Sequence, residues 1–175
     1  TASKSEQWIL KNQNKIFSVI ALISLSVLSY LGYQRFIAEP KETEAISELN
    51  QAQYFFELAL VSNESDSLFK LALNGGEGKY GFLDIVDEYS GTKAANLANY
   101  SIGMSYLNLK EYDKAITYLE KFNSDDILLK SISLGTIGDC FSELNQPKEA
   151  YEYYKKAFKH NENIYTTPKY LFKAA

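Results

Sequence analysis

Few residues in this 175-residue chain could carry chemistry, and they do not combine into an enzyme motif. Gly76, Gly78 and Gly81 match the glycine spacing of a dinucleotide-binding loop. That loop must follow a β-strand, whereas the pattern of residues 68–73 is typical of a helix. His160 is the only histidine, so no pair of histidines is available to hold a metal ion.

The remaining reactive groups are better explained by structural roles. Cys140 is the only cysteine, which excludes an internal disulfide, and beside Gly138 in a predicted helix it is expected to be a small buried side chain. Asp125 and Asp126 precede a predicted helix, whose first turn a carboxylate can cap. The sequence therefore predicts a protein without catalytic residues, cofactor or metal, and so not an enzyme.

Composition and charge narrow the class of protein further. Apolar residues make up 46% of the chain, with only three prolines and nine glycines, which favours a packed helical protein. The net charge of −4 is unevenly distributed: from residue 39 onward there are 14 lysines and 21 acidic residues. Because an acidic domain is repelled by phosphates, we expect no nucleic-acid partner.

An uninterrupted apolar run occupies residues 16–33, with no charge and no proline over 18 residues. A helix of about 20 residues crosses the hydrocarbon core, and this run reaches residue 38 if the Arg35 side chain extends to the interface. A cleaved signal peptide would have a shorter apolar core and a small-residue cleavage site, which residues 34–40 lack. We therefore predict an uncleaved transmembrane helix over residues 16–38 in contact with the lipid bilayer.

The residues that flank this helix predict its orientation and packing. Three lysines in residues 1–15, against Arg35 and Lys41 after the run, favour a short cytoplasmic tail with residues 39–175 on the far side. Small residues on one helical stripe would let a neighbouring helix approach, although such residues are also simply tolerated in membrane helices. They are Ser18, Ala21, Ser29 and Gly32.

Two stretches of the remaining chain repeat each other at a spacing of 35 residues. Each places a small residue where two helices would cross, surrounded by aromatic, leucine and alanine positions. The first contains Gly103, Tyr106, Ala115 and Leu119, and the second contains Gly138, Phe141, Ala150, Tyr154 and Ala157. This pattern resembles the tetratricopeptide repeat, which has a period of about 34 residues. The resemblance implies a right-handed solenoid of helical hairpins that binds other proteins.

The predicted fold is all-α, a single N-terminal transmembrane helix followed by a tetratricopeptide-type helical-hairpin solenoid. We also expect the chain to be a fragment of a longer protein, because a helical pattern runs to its last residue. The repeat domain, residues 39–175, is divided into a degenerate repeat at 44–74, an extra helix at 79–90, repeats at 96–130 and 131–165, and a truncated further helix at 167–175.

The inner positions of the first helices predict what the repeats bind. Repeats that clamp the carboxylate tail of a chaperone carry Lys, Arg and Asn at these positions. In this chain the residues at the same positions, which include Gly135, are apolar or acidic. We therefore predict a groove for a helix or an extended hydrophobic segment, while packing of Tyr100 and Met104 against the preceding helix remains equally open. The candidate partner groove consists of Tyr100, Met104, Leu107, Asp139 and Ser142.

The order of these segments, together with the run at residues 81–95, resembles the YfgM-like ancillary subunits of the bacterial SecYEG translocon. The resemblance implies an inner-membrane protein with a periplasmic repeat domain. Its partners would be the translocon and a membrane-anchored peptidyl-prolyl isomerase-like chaperone, so that it links the translocon to chaperones or emerging secreted chains. The alternative is a membrane-anchored receptor or adaptor with cytosol-facing repeats, for protein import or for assembly of an organelle or envelope complex.

Overall fold

The computed structural model describes residues 3–76 and 78–175, without the side chains of Lys4 and Ser5. It divides the chain into two units, Thr1–Lys41 and Glu42–Ala175. The regular structure of the described residues is helical. The α-helices are α1 (Lys4–Tyr33), α2 (Glu39–Val61), α3 (Ser65–Asn74), α4 (Phe82–Glu88), α5 (Lys93–Asn108), α6 (Tyr112–Lys121), α7 (Ile127–Glu143), α8 (Pro147–His160) and α9 (Thr166–Lys173).

Helix α1 holds the apolar run of the first unit. Ser3 and Glu6 form a capping box at its start, in which each side chain accepts a hydrogen bond from the other residue's backbone N–H. Length and composition make the helical stretch Glu6–Val61, which includes this run, able to cross a membrane. The four small residues of the predicted stripe lie on α1, and their role in helix packing stays a prediction: Ser18, Ala21, Ser29 and Gly32.

A π-helical segment, Gln34–Ala38, separates α1 from α2. Here the Glu39 N–H donates to the Gln34 carbonyl, five residues back instead of four. The physical cause is Pro40, which has no N–H to donate and whose ring would clash with the carbonyl of Phe36 in a regular α-helix. The helix therefore continues through Pro40 by widening one turn.

The second unit begins with the buried face of α2. Ala45, Leu49, Ala52, Phe56 and Ala59 follow one another at spacings of three and four residues and are buried. The Phe56 ring meets the rings of Phe69 and Phe82 edge to face, at centroid distances of 5.7 and 6.0 Å. Helices α2 and α3 occupy the stretch predicted as a degenerate repeat, and that assignment stays a prediction.

The glycine-rich loop after α3 is a tight structural turn. Gly75 has φ +70°, and a Cβ there would lie 2.2 Å from the Lys79 carbonyl oxygen, so only glycine fits. Helix α3 precedes the loop, as the sequence predicts, in place of the strand that a dinucleotide-binding motif requires. Glu77 lies outside the described residues.

Two helical hairpins follow, α5–α6 and α7–α8. Thr92 caps α5 by accepting the Ala95 N–H at 3.0 Å. Asp126 caps α7 by accepting the Leu129 N–H at 2.8 Å, so of the two aspartates predicted to cap this helix Asp126 is the one that does. Both hairpins turn through a left-handed residue, Lys110 at φ 61° and Asn145 at φ 57°. These two residues are 35 positions apart, so the backbone conformation at the hairpin corners repeats with the same period as the sequence.

Within each hairpin a glycine lies where the two helices cross. A Cβ on Gly103 would lie 2.4 Å from Leu119 Cγ, and a Cβ on Gly138 would lie 2.6 Å from the Tyr154 ring. The other repeat-defining residues surround these crossings. Tyr106, Ala115, Leu119, Ala150, Tyr154 and Ala157 are buried, and Phe141 is half-buried.

Substitution of the crossing glycine tests this packing. Gly103→Ala is expected to lower the free energy of unfolding by about 1–3 kcal/mol, because Leu119 is buried and has little room to retreat. Urea unfolding followed by circular dichroism measures the change. Lys148→Ala, on the exposed first turn of α8, is the control and should change stability by less than about 0.5 kcal/mol. Equal stability of the Gly103 variant and the wild type would contradict the close crossing.

Candidate functional site

A groove of about 620 Å³ opens where the first helices of the hairpins end. Its walls come from α5 and the corner that follows it, from α7, from the buried side of α8 and from the last turn of α9. The lining residues are Leu107, Asn108, Lys110, Tyr112, Asp139, Ser142, Glu143, Tyr154 and Lys173.

The central side chain of the groove, Tyr154, is positioned by a glycine. Gly138 leaves room for the Tyr154 ring of α8 to lie directly against α7. From there the phenol donates a hydrogen bond of 2.7 Å to Oδ1 of Asp139. Burial and this hydrogen bond raise the pKa of Tyr154 well above its usual value, so the phenol stays a donor at physiological pH.

Helix α9 completes the same cluster from the other side. Gly135, one turn before Gly138, leaves room for the Tyr170 ring, which stacks on the Tyr154 ring at 6.3 Å with an interplanar angle of 14°. One turn after Tyr170, the Lys173 ammonium lies 2.6 Å from Oδ1 of Asp139. The Asp139 carboxylate is therefore paired with a cation from its own chain.

The opposite wall of the groove is formed by the α5–α6 corner. Leu107 contributes an apolar surface, and the Tyr112 hydroxyl donates to Oε2 of Glu143 at 3.3 Å. The groove therefore contains two carboxylates, those of Asp139 and Glu143. It also contains two ammonium groups, those of Lys110 and Lys173. The formal charges of these four side chains therefore cancel.

The five predicted groove residues fall into two groups. Leu107, Asp139 and Ser142 line the groove. Tyr100 and Met104 are half-buried and pack against the core, with the Tyr100 ring 5.2 Å from the Phe122 ring. Phe122 follows α6, so this ring contact is not with the helix that precedes α5. Packing of Tyr100 and Met104 against that preceding helix stays a prediction, as does the part that all five residues play in binding.

Sequence reasoning missed the contribution of α9 and of the hairpin corner. Tyr170 follows Gly135 by 35 residues, so the repeat period itself pointed to a matching position on the helix that follows the second hairpin, α9. No comparable signal pointed to Lys173 or Tyr112, because each contacts a partner on another helix. Lys173 pairs with Asp139, and Tyr112 donates to Glu143.

Cys140 lies next to the groove but is not exposed to it. Its side chain is buried in the core, and burial raises the pKa of the thiol to about 12. At neutral pH the thiol is therefore protonated and shielded from solvent, which makes it unreactive. The prediction of a small buried side chain fits this placement.

Residues 98–124 and 132–163 match the family model described as Tetratricopeptide repeat. The two matched stretches cover the hairpins α5–α6 and α7–α8, so each hairpin is one repeat. The chain is thus all-α, with a long apolar helix near its start and two hairpins of the tetratricopeptide type, and repeats of this type serve as protein-interaction scaffolds. Neither the curated proteins nor the solved structures contain a significant match to the chain.

The burial of Cys140 predicts slow chemical modification. A thiol with a pKa of about 12 has roughly 10³-fold less thiolate at pH 8 than an unperturbed cysteine. We expect a disulfide reagent to label the folded protein at least that much more slowly than the same protein in urea. The absorbance of the thiolate that the reagent releases measures the rate of labelling. Rapid labelling without denaturant would show that Cys140 is accessible and would contradict its burial.

The buried tyrosines predict a loss of stability at alkaline pH. Burial, followed by the charge of Asp139, raises the pKa of Tyr170 to about 12, and Tyr89 and Tyr153 are raised to about 12 as well. An unfolded tyrosine titrates near pH 10, so this stabilisation is complete below about pH 10 and is lost as the pH rises towards 12.

Tyr170→Phe isolates one of these groups. The variant removes a phenol that the fold keeps neutral, so its melting temperature should fall less steeply between about pH 10 and 12 than that of the wild type. Tyr165→Phe, at an exposed position, is the matched control and should keep the wild-type slope. Identical slopes for all three proteins would contradict the burial of the Tyr170 hydroxyl.

Proposed function

We propose that this protein is a non-enzymatic, membrane-anchored docking subunit whose repeat groove binds a segment of another protein. The observation that carries the proposal is the union, in one chain, of a helix able to cross a membrane and a tetratricopeptide solenoid. The helix restricts the solenoid to a membrane surface, and the solenoid supplies the binding site.

The chemistry of the groove supports a peptide-like ligand. Leu107 and the aromatic rings of Tyr112 and Tyr154 offer apolar contact, while Asn108 and Ser142 offer hydrogen bonds at the rim. Both charge signs are present and the net charge is balanced, which suits a helix or an extended segment better than a carboxylate tail or a polyanion.

For the location, we propose the bacterial inner membrane, with the N-terminus cytoplasmic and the repeats in the periplasm. The partners in this proposal are the Sec translocon and a membrane-anchored chaperone of the peptidyl-prolyl isomerase type. The support is the three-to-two distribution of basic residues around the apolar run and the resemblance of the segment order to YfgM-like subunits.

Membrane orientation separates this proposal from a cytosol-facing receptor. Protease added outside spheroplasts should digest residues 42–175 and leave the apolar helix in the membrane. If those residues survive until the membrane is permeabilised, the repeats face the cytosol and the periplasmic assignment is wrong.

A groove variant then tests the docking site itself. Ser142→Arg places a long cationic side chain in the groove from an exposed position, so the fold should persist. Affinity purification in mild detergent, with the translocon channel quantified by mass spectrometry, should recover at least about tenfold less channel than the wild type, a loss of about 1.4 kcal/mol. Thr117→Arg, exposed on α6 outside the groove, should recover the wild-type amount. Equal recovery by both variants would exclude this groove.

A further inference from the structure

Two pairs of a tyrosine and a carboxylate lie on consecutive turns of α7 in the groove. In the first pair, the Tyr154 hydroxyl donates to Oδ1 of Asp139 at 2.7 Å. In the second pair, the Tyr112 hydroxyl donates to Oε2 of Glu143 at 3.3 Å. Asp139 and Glu143 are four residues apart on one helix, so their carboxylates share a face of α7. All four side chains line the groove.

The first pair already holds a cation from its own chain. The Lys173 ammonium lies 2.6 Å from Oδ1 of Asp139 and 5.8 Å from the centre of the Tyr154 ring. At about 6 Å or less from a ring centre, the π electrons attract an ammonium in addition to the pull of the carboxylate. Lys173 therefore shows which group this arrangement attracts, namely a primary ammonium held by a carboxylate and by the ring of the tyrosine that donates to it.

The second pair offers the same two groups, but the described residues place no cation on it. In that part of the chain no lysine or arginine forms an ion pair with Glu143, and no lysine lies over the Tyr112 ring. The Tyr112 hydroxyl is neutral, so no charge at short range compensates the Glu143 carboxylate. Both members of this pair belong to the matched repeats, so the pair does not depend on α9.

We propose that the second pair is the subsite for a lysine side chain of the partner segment that binds in the groove. The ammonium of that lysine lies against the carboxylate of Glu143 and over the ring of Tyr112, as the Lys173 ammonium does in the first pair. Its aliphatic stem can pack on Leu107, which lines the same groove. The proposal rests on the docking function proposed above and names the one side chain of the partner that the groove recognises by its charge.

The subsite acts on selectivity more than on total affinity. Glu143 is exposed and Tyr112 is half-buried, so the lysine keeps part of its hydration when it binds. Ion pairs and cation–π contacts in such surroundings are each weak. Together they are expected to raise the affinity for a segment with a lysine at this position by roughly fivefold over a segment without one.

Selection from a displayed library of random peptides tests the subsite with a defined probe. The full chain is held in lipid nanodiscs, and peptides that bind empty nanodiscs are removed first. Groove binders are the peptides that the wild type retains and that Ser142→Arg, which fills the groove, does not. We expect these peptides to share a lysine at one fixed position within an otherwise largely apolar segment.

Synthetic versions of a selected peptide then measure the contact itself. Norleucine in place of the shared lysine removes the ammonium and should weaken binding to the wild type roughly fivefold. On Glu143→Gln the same replacement should change the affinity less than about twofold, because the carboxylate is gone. Glu149→Gln removes an exposed glutamate of α8 outside the groove and is the matched control, so it should keep the fivefold difference.

The outcomes distinguish this subsite from the docking function on which it rests. Groove binders without a shared lysine, or a norleucine effect that persists on Glu143→Gln, would overturn the lysine subsite and leave docking in the groove intact. A shared acidic residue in place of the lysine would assign the charge contact to Lys110 and would also overturn the subsite. Recovery of no groove binders would contradict both proposals, because a groove that docks protein segments must retain some peptides.

Discussion

The close crossing of α7 and α8 at Gly138 is the constraint on which the groove depends. Because a glycine lies at the crossing, the Tyr154 ring reaches the surface of α7 and its hydroxyl reaches Asp139. Tyr170 can then stack on Tyr154, and Lys173 can pair with the same carboxylate. A side chain at position 138 would displace the ring and remove the support for each of these contacts in turn.

The sequence predicted the hairpins well because their determinants are local and periodic. The 35-residue spacing places Gly103 and Gly138 at the two crossings, and the caps at Thr92 and Asp126 mark where helices begin. The groove was predicted only in part. Leu107, Asp139 and Ser142 line the groove, whereas Tyr100 and Met104 pack against the core. All five were chosen because they occupy inner positions of the first helices, and position along a helix does not show which of these side chains the neighbouring helices cover.

Polar side-chain pairs between helices could not be predicted from the repeat pattern. Lys173 pairs with a residue 34 positions earlier, and Tyr112 with one 31 positions later, and neither pairing leaves a periodic trace. The π-helical turn before Pro40 is likewise not predictable from the sequence pattern. A proline predicts the loss of one backbone hydrogen bond of the α-helix. Whether the helix then ends or widens into a π-turn depends on the helix propensity of the residues on both sides.

The proposed function links two physical properties of the chain: a helix that can cross a membrane and a groove of balanced charge. The measurement that tests the central claim most directly is site-specific photo-crosslinking from position 142 in living cells. The account predicts adducts with the translocon or with chains leaving it from position 142, and none from position 117 on α6. Absence of adducts from position 142, or adducts only with cytosolic proteins, would contradict it.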